Sequence, residues 1–160
     1  MAGVKRPPAA RGEVFMNMEK YEKILAQGRD AGLLALRLGV GFFFFYVHGL
    51  PKLTAGPELW LKIGGAMGNL GIHFAPVFWG FMAALAECGG GALIMLGLLT
   101  RPAAAMLTFN MFVAAVMHLA MGQGLKEASH AAEAMFVFLA LLLAGGGRWS
   151  LDQLFFKGKI

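Results

Sequence analysis

Apolar positions along this chain fall into long runs, not alternating pairs. Four runs dominate, at about 31–50 (AGLLALRLGVGFFFFYVHGL), 76–99, 102–121 and 130–146. Each is long enough for a helix that crosses hydrocarbon, which takes ~17–25 residues. Pro102 opens the third run, and proline is tolerated in a first helical turn. Gly145, Gly146 and Gly147 close the fourth. The link at Thr100 and Arg101 is short, so the second and third runs are predicted to be antiparallel neighbours. Ahead of the first run, residues 13–28 place Phe15, Met18, Tyr21, Ile24 and Leu25 at helical spacing with charges between them. That pattern suits an amphipathic helix, lying on the membrane surface or packed on another subunit. Residues 1–12 (MAGVKRPPAARG) read as a disordered basic tail. The loop from Pro51 to Ala75 can start a short helix at Pro57 and Glu58, with Trp60 suited to the interface belt. The pattern therefore predicts an all-α integral membrane four-helix bundle over 31–150. An N-terminal amphipathic helix, a short outer-loop helix and a C-terminal tail (151–160) complete it.

Composition agrees. Hydrophobic residues make up 58% and charged residues 14%, with mean hydropathy +0.65. A soluble domain carries ~25% charged residues. The net charge of +5 would suggest nucleic acid for a soluble protein. Here the cations sort by side, so a lipid bilayer and not nucleic acid is the expected partner. With both termini in the cytoplasm, eleven Lys and Arg residues lie inside and three (Lys52, Lys62 and Lys126) outside. Arg37 lies within the first run near its inner end, where a long side chain reaches the headgroups. A single cysteine, Cys88, excludes an internal disulfide framework. The first apolar run begins near Ala31 with no convincing cleavage site after it, so it reads as a retained span and not a signal peptide.

The few polar residues inside the spans then become informative. Glu87 stands alone in FMAALAECGGGALIML (81–96). At ~1.5 Å per residue it lies near the bilayer midplane. His118 falls near the outer end of the third span, and Asn110, eight residues earlier, is on roughly the same face. His48 lies near the outer end of the first span, one turn before Lys52. Glu133 is one turn into the fourth, with His130 three residues before it. Every span thus sends a polar group toward the outer half of the bundle. An ionised group at a helix centre costs ~3 kcal/mol or more and normally faces inward to a partner. A carboxyl beside a histidine can relay protons or hydrogen-bond a quinone head group. One reading is a polar pocket open toward the outer face. The other is a hydrogen-bonded clasp that fixes helix register, worth ~0.6–2 kcal/mol per contact. Contact with interfacial water is the simpler account of His48 and Glu133.

Metal chemistry has weaker support. Met117, His118 and Met121 are close in sequence and suit Cu(I), yet the eleven methionines are scattered without a repeated pair spacing. His130 and Glu133 reverse the spacing of a carboxylate di-iron helix, and no second such pair exists. No metal site is expected. The sequence has no dinucleotide fingerprint, P-loop, haem-attachment motif or nucleophile elbow.

Several segments carry a family resemblance. They are RLGVGFFFFYVHGLPKL (37–53), AECGGGALIMLGLLTRPAA (86–104), NMFVAAVMH ending at His118, Glu133, and GGGRWSLD (145–152). From about Leu36 to Asp152 the chain resembles the DoxX family of small bacterial four-span membrane proteins. Gly146 departs from it, where the family often has proline in the turn. The resemblance implies a bacterial inner-membrane bundle and marks His48, Lys52, Glu87, Arg101, His118 and Glu133 as recurrent positions, Arg101 as part of a structural turn. It implies a redox-linked membrane subunit, similar to a subunit of a thiosulfate:quinone oxidoreductase, with quinone a candidate cofactor. Partner subunits or a homo-oligomer would complete it. The alternative is a non-enzymatic assembly or maturation factor, or a scaffold, holding a client protein. Fold kinship does not choose between these.

Overall fold

The computed structural model describes residues 8–156, with side chains from Met18 onward. Every regular element among the described residues is helical. Helix α1 (Pro8–Phe42) passes without a break from the amphipathic segment into the first apolar run. It starts at Pro8, inside the stretch read as a tail; the rest of that stretch, residues 1–7, lies outside the described residues. The helix widens into a π-helical turn, Phe43–Gly49, in which the Leu50 N–H reaches back five residues to the Phe45 carbonyl. It then resumes as α2 (Leu50–Thr54). The first span is thus the middle of one rod, and the polar ends of that rod project past the apolar run.

After Gly56, which adopts a positive φ, α3 (Pro57–Gly64) and a 3-10 segment (Gly65–Leu70) fold across the bundle. The second span begins at Pro76 with α4 (Pro76–Leu85), widens at a second π-helical turn (Ala86–Gly90), and ends as α5 (Gly91–Leu96). A turn leads into α6 (Thr100–Ala120), then α7 (Gly124–Ala144) and the short α8 (Leu151–Phe156). Four helical stretches, Met18–Thr54, Pro76–Leu96, Thr100–Ala120 and Gly124–Ala144, are long and apolar enough to cross a membrane.

Packing explains how these rods come together. The two π-helical turns face each other. A Cβ on Gly49 would overlap the Cys88 backbone, and one on Gly91 would come within 2.5 Å of the Phe45 nitrogen. Glycine is required at both because backbone meets backbone there. α6 and α7 form a close antiparallel pair, and α3 lies along α4. The main core gathers Phe44, Ile94, Leu107, Met111, Phe138 and Leu141, with Phe44 and Phe138 edge to face at 4.7 Å. Phe42, Phe43, Phe109, Phe136 and Leu143 are exposed, as lipid-facing positions should be.

The end of the bundle that carries α8 has a polar clasp. Arg37 is 1% exposed and donates from Nη2 to the Trp149 carbonyl at 2.7 Å. It therefore points inward, whereas the sequence suggested that it extends to the headgroups. Asp152, also buried, accepts from the backbone N–H groups of Leu99 (2.6 Å) and Thr100 (2.8 Å). A carboxylate thus caps α6 from a helix fifty residues downstream. Leu99 is left-handed at φ 48, a strained state for leucine, and the Asp152 bond holds it there.

Candidate functional site

A cavity of about 570 Å³ lies between α3, the 3-10 segment, α4 and α6. Most of its wall is apolar, from Ile63, Met67, Met82, Val113 and Met117 among others. Four polar groups line it: Lys52, Glu87, Asn110 and His118. Each reaches this place by its position on a rod. Lys52 stands on α2, just past the first π-helical turn. Glu87 belongs to the second such turn and lines the cavity from there. Asn110 comes from the middle of α6 and His118 from its last turn.

Glu87 is the centre of the group. It is 3% exposed, and both its oxygens accept from the Lys52 ammonium, at 2.7 and 2.6 Å. Asn110 Nδ2 donates to Oε1 at 3.1 Å. Lys52 is 32% exposed and joins the cavity to the loop end of the bundle. Its own place is set by Trp60, whose indole N–H donates to the Lys52 carbonyl at 2.8 Å. Trp60 also packs on Phe81 at 5.0 Å. It is therefore a buttress for the ion pair and not a free interface anchor. Trp79 lines the same cavity, and its buried indole N–H has no partner among the described residues.

The other expected site residues fall elsewhere. His48 turns to the far side of its helix, its ring 5.2 Å from Phe44 and 5.6 Å from His130. Glu133 is exposed on α7. The expectation that all four spans feed one chamber is corrected accordingly: α7 packs against α6 and Phe44, behind the cavity, and supplies no wall. His118 faces the cavity but bonds to Gln123, not Glu87. Arg101 follows the turn and lies in the first turn of α6, over Gly145 at the opposite end. The opening also differs from expectation. α3 holds α4 while α6 meets the 3-10 segment and the π-helical turn, so a gap separates α4 from α6. Exposed Phe78, Leu85, Met106 and Phe109 line that gap. The cavity opens sideways, toward lipid, as well as past Lys52. No group of three or more His, Cys, Asp or Glu side chains able to hold a metal occurs among the described residues.

Sequence reasoning gave Trp60 a different role and missed Trp79 and the two π-helical turns. The signal for the turns is faint: Gly49 and the Gly89–Gly91 run mark where the rods touch, but glycine in a membrane helix more often marks close packing of ordinary helices.

Four long apolar helices, three of which contribute side chains to a charged cavity, define a multi-pass helical membrane protein. The chain belongs to the DoxX family, whose model matches residues 32–120, more than half of its length and inclusive of all four polar cavity residues. It is 29% identical over 130 residues to a Bacillus subtilis (strain 168) protein named "Putative oxidoreductase CatD", a match covering 81% of this chain and 91% of that protein. No solved structure matches the chain significantly.

Proposed function

We propose that this protein is the membrane subunit of a redox system and binds a quinone-like or lipid-like ligand in the cavity between α4 and α6. The observation that carries this reading is the pairing of a lipid-facing apolar chamber with one charged cluster, Lys52, Glu87 and Asn110, on its wall. A quinone is built the same way, with an apolar tail and a head of two carbonyl oxygens. Lys52 and Asn110 supply N–H donors for such oxygens, and Glu87 holds the ammonium in place. The unpartnered Trp79 N–H is a further donor beside the cavity. Reduction of a quinone to a quinol takes two electrons and two protons. The ammonium of Lys52 can pass a proton to a head-group oxygen and regain one from the water at its exposed side. In this reading a partner subunit supplies the electrons. The name of the Bacillus relative points the same way. On the charge asymmetry of the chain, the proposed setting is a bacterial inner membrane with both termini cytoplasmic.

Extraction of the purified protein in native lipid discs, followed by mass spectrometry, tests the proposal. Wild type should retain a quinone in roughly stoichiometric amount. Glu87→Gln should lower retention about tenfold, the effect of losing ~1.4 kcal/mol of binding, while the bundle still unfolds cooperatively. A stable client protein with no small ligand in the cavity would support the assembly-factor alternative and end this reading.

A further inference from the structure

Another cavity lies at the end of the bundle that carries α8, on the far side from Glu87. It measures about 210 Å³ and is formed by Arg29, Arg101 and Arg148 around the glycine turn Gly145–Gly147. The three arginines come from α1, the first turn of α6 and the loop after α7. Residues 29, 101 and 148 are far apart in the chain, and the fold brings them to one concavity. A general excess of cations at one membrane face would spread them around the rim instead.

The internal bonding leaves these guanidinium groups largely uncommitted. Arg101 makes one long bond, from Nη2 to the Leu143 carbonyl at 3.4 Å. Arg29 Nη2 approaches Asp30 Oδ1 no closer than 3.9 Å, and that oxygen already accepts the Arg148 backbone N–H at 3.1 Å. The Arg148 side chain makes no salt bridge among the described residues. Two other polar side chains of the wall, Asp152 and Ser150, are occupied. Asp152 is spent on the N–H groups of Leu99 and Thr100, and Ser150 donates to the Gly147 carbonyl while accepting from Gln153. Each guanidinium carries five donors and no acceptor. The cluster is therefore matched to an anion with several acceptor oxygens. Planar guanidinium forks fit phosphate oxygens in pairs. Depth agrees as well. Trp149, next to Arg148, is 54% exposed, and α8 presents Leu154 and Phe155 outward. Such residues mark the level of lipid headgroups. Basic pockets between membrane helices at that level suit phosphate-bearing headgroups.

We propose that Arg29, Arg101 and Arg148, set around the Gly145–Gly147 turn, form a phosphate-binding site at the α8 end of the bundle. The phosphate belongs to an anionic phospholipid or to a soluble phosphate compound. The full chain in nanodiscs decides the matter through its thermal unfolding. Wild type is compared in phosphatidylcholine alone, in phosphatidylcholine with phosphatidylglycerol, and in phosphatidylcholine with inorganic phosphate. A rise with phosphatidylglycerol only assigns the site to a lipid headgroup. A rise with inorganic phosphate as well assigns it to free phosphate. The paired variant Arg101→Gln, Arg148→Gln should weaken the effective phosphate source at least about tenfold, the usual result of losing charge-assisted bonds. The pair Arg101→Lys, Arg148→Lys keeps the charge but not the fork, so it should bind at an intermediate level. It also serves where the Gln pair fails to fold. Lys20→Gln with Lys23→Gln removes two exposed charges at the same end, away from the cavity, and should change nothing. No rise from either phosphate source overturns the site. So does an equal rise in wild type and the Lys pair, or an equal loss in the Lys20, Lys23 control, because each makes the binding a diffuse charge effect.

Discussion

Glu87 at 3% exposure and Lys52 at 32% form one pair, but the two partners are not equally replaceable. Lys52→Met leaves a carboxylate sealed in the bundle with only Asn110 beside it, and removal of one partner of a buried pair costs ~3–5 kcal/mol. Glu87→Gln keeps an acceptor for Asn110 and leaves an ammonium that already reaches solvent, so the loss should be ~1–2 kcal/mol. Chemical unfolding in micelles should rank the two in that order, and equal losses would contradict the burial difference. Replacing both by methionine should recover part of the Lys52→Met loss. At this scale the sequence was partly legible. A lone acid in an apolar run announces itself, but Asn110 was legible only as sharing a helix face with His118, and its bond to Glu87 was not. Trp60 was not legible in its role. Its bond to the Lys52 carbonyl exists only because α3 folds back over α2, and an exposed-loop tryptophan looks the same in sequence whether it faces lipid or a carbonyl.

The elements were legible in number and unclear in extent. Hydropathy marks only the part of a rod that crosses hydrocarbon. α7 starts at Gly124 and not near 130 because its polar first turns are helical too, and the first rod runs on to Thr54 for the same reason. The two π-helical turns are the elements that matter most to the site, and their contact has no spare room. Gly49→Ala should cost more than the ~1–3 kcal/mol typical of overpacking, since the new methyl meets backbone and not a yielding side chain. Gly39→Ala, which adds a methyl into open space on the same rod, should cost nothing measurable by the same unfolding assay. At the other end, Asp152→Ala removes the cap of α6 and should lower stability by ~1–2 kcal/mol. Hydrogen exchange should show it locally, as faster exchange of the Leu99 and Thr100 amides, whose acceptor is gone.

At the scale of the whole molecule, the rods give two unlike ends. One carries α3, the 3-10 segment and the start of α7; the other carries α8 and the arginine-lined cavity. The proposed orientation predicts that Lys62→Cys and Lys126→Cys, in a Cys88→Ala background, react with an impermeant maleimide in intact cells. Lys20→Cys should react only after the membrane is opened, and the reverse labelling pattern would invert the bundle. The sideways gap between Phe78 and Phe109 carries a consequence for how any occupant of the main cavity arrives. Such a molecule exchanges with a two-dimensional solvent. Its occupancy follows its mole fraction among the surrounding lipids, not its concentration in the suspension. Diluting a proteoliposome sample with buffer should leave the chamber filled, and fusing the same vesicles with empty ones should drain it.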